Sequence, residues 1–143
     1  MKKLLFLFAT ILILSSCSTS TEEQDKKDIL AVMDAPQIAW SKYDLKGFMQ
    51  GYWKSDSLKF YGGNGLTLGW EKTLSNYKRS YPTPDHSGTL KFKINDISKI
   101  NDGAYFLMGE YHLTRNVGDA NGIFMIIFKK INGDWKIIAD TSS

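Results

Sequence analysis

Apolar and polar residues follow three different rhythms along the chain, and each predicts a different element. Residues 4–14 are apolar almost without interruption, a block shorter than the ~20 residues that a membrane-crossing helix needs. From Ile29 the apolar positions recur at helical spacing: Ile29, Val32, Met33, Ala39, Trp40 and Tyr43 share one face of a helix reaching about Lys42. Pro36 lies inside it and predicts a kink or restart, because proline lacks a backbone N–H and clashes with the preceding turn. Asp44 is placed to cap a short second helix through "LKGFMQGYW", whose Leu45, Phe48, Met49 and Tyr52 share a face.

The rhythm then shortens. "SLKFY" and "LTLG" read as two short strands joined by a turn at "GGNG". A third helix follows from Trp70, with Trp70, Leu74, Tyr77 and Tyr81 on one face and Glu71, Lys72, Ser75, Asn76, Lys78 and Arg79 on the other. Pro82 and Pro84 end it. Beyond them "TLKFKINDISKI", "AYFLMGEYHLTR", "IFMIIFKKI" and "WKIIAD" alternate as strands, the last two joined by a tight Asn132-Gly133 hairpin. Helices first and an antiparallel meander last make an α+β fold. In "FMIIF" both faces are apolar: Phe124, Ile126 and Phe128 on one, Met125 and Ile127 on the other. A sheet with helices on one side leaves that second face to be covered, which predicts a homodimer through the sheet face.

Charge changes the picture at the amino terminus. Lys2 and Lys3, the apolar block and the small residues Ser15 and Ser16 form an export signal. "LSSC", Leu14 to Cys17, resembles the lipobox of bacterial lipoproteins. The resemblance implies cleavage after Ser16, acylation of Cys17 and a lipid anchor in the cell envelope, on the periplasmic side or the cell surface. Several acyl chains on one cysteine hold a protein stably where a single chain is marginal. Cys17 is the one cysteine of 143 residues, so the fold has no intramolecular disulfide and depends on its own core. Residues 17–28 are expected to be a solvated tether and residues 29–143 the domain. Removing residues 1–16 takes two lysines and no acid from the formal charge of +3, and the +1 that remains argues against a nucleic-acid partner.

Several pieces share a further likeness. "AWSKYDLKGFMQGYWKSDSLKFYGGNGLTLGWEKTLSNYKRSYP", "GEYHLTR", "GIFMIIFKKINGDWKIIAD" and the closing "TSS" resemble the DUF4440/SnoaL-like group of the nuclear transport factor 2-like (NTF2-like) superfamily. The resemblance covers essentially the whole mature domain. It implies a cone: a strongly bent antiparallel sheet wrapped around about three helices, with a pocket at the open end and often a homodimer. The group commonly ends in "DHTS", whereas here Asp140 is followed by Thr141 and the histidine is absent.

Aromatic residues make up 13% of the chain, and those on the helices and first strands are placed to line such a cone. Trp40, Tyr61, Trp70 and Tyr77 are expected at one cavity, with Asp140 near it. An apolar pocket with a few polar points suits a small apolar or aromatic ligand bound without catalysis. The competing reading is an enzyme of the ketosteroid isomerase or polyketide cyclase type, which needs a carboxylate or histidine base and an oxyanion donor in the pocket. Glu110 and His112, two apart on one strand, read as a solvated outer pair, and His86 as an exposed loop residue. Two distant histidines and one cysteine assemble no metal ligand set, and no cofactor is expected.

Overall fold

A computed structural model describes residues 21–143; the expected export signal and Cys17 lie outside them. Helix α1 (Glu22–Ser41) starts seven residues before Ile29, so residues 22–28 are helix and not tether. Thr21 caps it by accepting from the Gln24 N–H at 3.3 Å, and Glu22, Glu23 and Asp25 set acidic charge against the positive end of the helix dipole. Asp25 fixes this first turn to the sheet. Its carboxylate is buried, 3.2 Å from Lys130 Nζ, and accepts from the Tyr105 hydroxyl at 3.4 Å.

Pro36 does not break α1, which continues to Ser41. The bare backbone of Gly51 packs there, where an added Cβ would lie 3.5 Å from the proline ring and 3.6 Å from the Val32 carbonyl oxygen. Helix α2 (Leu45–Phe48) is capped by Asp44 as expected, through the Gly47 N–H at 2.8 Å, and runs into a single 3-10 turn, Met49–Gly51. The cap requires glycine at 47, since a Cβ would stand 2.2 Å from the Asp44 carboxylate.

Strands β1 (Lys59–Gly62) and β2 (Gly65–Leu68) form a hairpin, followed by α3 (Trp70–Ser80) and the short α4 (Pro84–Ser87). The meander is β3 (Thr89–Asn101), β4 (Ala104–Thr114), β5 (Ala120–Ile131) and β6 (Asp134–Ser142). One six-stranded sheet results, in the order β2-β1-β6-β5-β4-β3, antiparallel except where β1 runs parallel to β6. The sheet bends around the helices as an α+β cone. Its inner face carries Leu90, Tyr105, Leu107, Leu113, Phe124, Ile126, Phe128, Trp135 and Ile137 against Ile29, Met33, Trp40, Phe48 and Met49.

Two irregularities aim side chains. In β3 the register with β4 shifts between Ile94 and Asp96, leaving Asn95 unpaired. In β6 the partners jump from Phe128–Ile137 to Ile127–Ala139, leaving Ile138 as an extra residue. Strict alternation from Trp135 and Ile137 would put Ala139 inside. The bulge reverses the parity beyond it, so Asp140 points inward beside Ile126.

Candidate functional site

A cavity of about 270 Å³ opens between α1, α3, the β1–β2 hairpin and the inner face of β3–β6. Trp40 enters it from α1, with its indole N–H donating to the Ser87 carbonyl at 2.9 Å. Phe48, Tyr77 and Tyr81 meet that indole edge-on at centroid distances of 4.8, 5.7 and 4.6 Å. Phe60 from β1 packs on Tyr77 at 5.7 Å, and Phe92 and Phe124 close the sheet side. The "GGNG" turn borders the mouth.

One charged side chain lines this cavity among the described residues: Asp140. It is 7% exposed, and each carboxylate oxygen accepts a hydrogen bond, Oδ2 from the Tyr52 hydroxyl at 2.5 Å and Oδ1 from the Ser142 hydroxyl at 2.7 Å. Burial pushes its pKa up to about 6, against the opposing pull of those two donors. Burial, and next the charge of Asp140, hold the phenols of Tyr52 and Tyr77 well above the ordinary tyrosine range. The site is an aromatic chamber with one carboxylate and its donors set into the wall.

Of the five residues expected at the cavity, the structure brings together Trp40, Tyr77 and Asp140. Tyr61 does not join them. In the parallel pairing Phe60 stands beside Asp140 and Tyr61 beside Thr141, so β1 sends Phe60 inward and leaves Tyr61 59% exposed on the outer face. Trp70 is also absent from the lining. It is buried at the start of α3, donating to the Met49 carbonyl at 2.9 Å, a packing role between two helical segments. Phe60 and Ser142 also line the cavity, and no local pattern in the sequence singles them out. Tyr52 was visible only as one aromatic among many, and nothing local marks its hydroxyl as the partner of a residue 88 positions away.

Glu110 and His112 lie on the outer face of β4, with His112 Nε2 3.4 Å from the carboxylate. Hydrogen bonds from Lys93 and Asn95 hold Glu110 down at about 2. The pair is solvated and separate from the cavity. His86 is half-buried in α4 and 2.8 Å from the Thr83 hydroxyl. Among the described residues no three metal-ligating side chains cluster, and no helix is long and apolar enough to cross a membrane.

A bent sheet closed over helices, with an aromatic chamber at its open end, defines a cone-shaped pocket protein. An NTF2-like protein of unknown function from Shewanella oneidensis MR-1 is 33% identical, with a TM-score of 0.79, over 83% of this chain and 98% of that one. The chain belongs to the NTF2-like superfamily. An NTF2-like superfamily protein from Salmonella enterica serovar Typhimurium LT2 shares the fold at 17% identity and a TM-score of 0.70, over 86% of this chain and 92% of that one. A ketosteroid isomerase-like protein from Erwinia carotovora atroseptica SCRI1043 shares it at 15% identity and a TM-score of 0.65, over 82% and 93%. No family model and no curated protein matches the chain.

Proposed function

We propose that this is an exported lipoprotein of the cell envelope whose domain, of the DUF4440/SnoaL-like group, binds a small apolar or aromatic molecule without transforming it. The observation that carries the binding reading is the 270 Å³ chamber, apolar in body, with a few polar groups held in fixed positions. Native mass spectrometry of the purified chain tests it: a small molecule retained by the protein and released on unfolding is expected, and a chain that carries and takes up none contradicts it. The anchoring part rests on the "LSSC" tetrad. Changing Cys17 to Ser is expected to stop incorporation of labelled fatty acid and release the protein from the membrane fraction; label still entering the variant contradicts the anchor.

A second reading has one observation in its favour. Asp140 combines a pKa near 6 with a place on the cavity wall, which are the properties of a general base for proton transfer next to a carbonyl. Against it, the Tyr52 hydroxyl donates to Asp140 itself instead of standing across the cavity as an oxyanion donor. Hydrogen–deuterium exchange at the α-carbon of a ketone probe, dependent on Asp140, would favour this reading. Pairing of two copies through the outer sheet face belongs to the same proposal.

A further inference from the structure

The charge pattern of the cavity narrows the class of molecule it takes. Asp140 is 7% exposed and lines the cavity without a counter-ion: no lysine, arginine or histidine stands among the described lining residues. The groups facing it are phenols and a hydroxyl, Tyr52 beyond the 3-10 turn, Tyr77 on α3 and Ser142 on β6, while β1 and β5 present Phe60 and Ile126. A carboxylate oxygen has two acceptor positions, and the two hydrogen bonds to Asp140 use one on each, leaving one on each for an occupant. Above about pH 6 the group is an anion in an apolar wall, a costly arrangement until a cation meets it. The walls beside it are Trp40, Phe48, Phe60 and Tyr77, and aromatic rings attract cations through their quadrupoles. A carboxylate ligand would meet repulsion here, and a neutral one would leave the buried charge with its hydroxyl donors and no counter-ion.

We infer that the occupant of this cavity is a protonated amine on a small apolar or aromatic body, its ammonium donating to Asp140 and its body lying against Trp40, Phe60 and Tyr77. This rests on the binding reading above and deepens it. The test is calorimetric titration of the purified chain with three matched probes, 2-phenylethylammonium, 2-phenylethanol and 3-phenylpropanoate, near pH 8. The ammonium is expected to bind about tenfold or more tighter than the alcohol, and the carboxylate more weakly than either. Lowering the pH to about 5 protonates Asp140 and leaves the amine charged, so the ammonium-to-alcohol ratio should fall toward one. Asp140→Asn should lose the ratio at both pH values, and the pH series on the unaltered protein decides the matter if that variant does not fold. An alcohol that binds as tightly as the ammonium, or a ratio that is unmoved by pH, overturns the ammonium inference and leaves the cavity a binding site. Three silent probes overturn both.

Discussion

Asp140 titrates against the fold. Its carboxyl stands near 6 in the folded protein and near 3.8 in the unfolded chain, so between those values the folded state holds a proton that the unfolded state has lost. Stability from this group therefore falls as pH rises from about 4 to about 6, by roughly 3 kcal/mol in all, and stays at the lower level above. Asp140→Asn removes that slope, which thermal unfolding followed across the window would reveal as a difference between the two proteins; parallel curves contradict the assignment. Glu110 works the other way and elsewhere, since its lowered pKa contributes stability above about 4.5 that is lost as pH falls toward 2. Tyr77→Phe tests the neighbouring phenol. That hydroxyl interacts with Tyr52 in the buried chain leading to Asp140, so its loss should cost about 1 kcal/mol in denaturant unfolding. No change in stability would assign the hydroxyl to an occupant of the cavity instead.

At the scale of elements, the first turns of the amino-terminal helix and the facing of the last strand beyond Ile138 are the least legible. Residues 22–28 contain no apolar residue, so periodicity could not extend α1 back from Ile29. What holds them is tertiary: the buried contacts of Asp25 with Tyr105 and Lys130, residues 80 and 105 positions away. Asp25→Ala should cost about 2 kcal/mol, less than a fully buried ion pair because Lys130 keeps 30% exposure. A tether residue would cost nothing, and unchanged unfolding midpoints would restore the tether. Helix α3, the meander and the Asn132-Gly133 hairpin follow from spacing and a turn pair, and the structure has them where the pattern puts them. The cap at Asp44 correctly starts α2, but the helix expected through Trp53 ends at Phe48, with a 3-10 turn to Gly51 and extended backbone at Tyr52. The bulge at Ile138 has no such signal, and by alternation alone Asp140 would have faced outward. The same dependence on pairing explains Tyr61: a four-residue strand gives no independent cue to which parity is buried until β6 lies beside it.

The whole molecule presents a second face, and its composition argues for a second copy. In register across four neighbouring strands lie Met108, Met125, Thr141 and Tyr61, then Leu66 on β2, all on the side away from the helices. In that row Tyr61 is 59% exposed, Leu66 56%, Met108 42% and Met125 38%, interrupted by Thr141, and Ile123, 65% exposed, lies two residues before Met125 on the same face of β5, so large apolar side chains gather on this face. Two such faces packed together would cover each other through one self-complementary patch, as a two-fold dimer does. Because Met125 is itself exposed, a charge there meets solvent in the monomer and need not disturb the core, so Met125→Lys separates association from folding. The expected outcome is a dimer for the unaltered chain at micromolar concentration and a folded monomer for the variant, read by sedimentation with circular dichroism as the check on folding. A variant that sediments like the parent protein would move the interface elsewhere, and a parent that sediments as a monomer would leave the row uncovered and remove the homodimer from the proposal. The inner chamber is independent of either result, because its lining comes from the opposite face of the same strands.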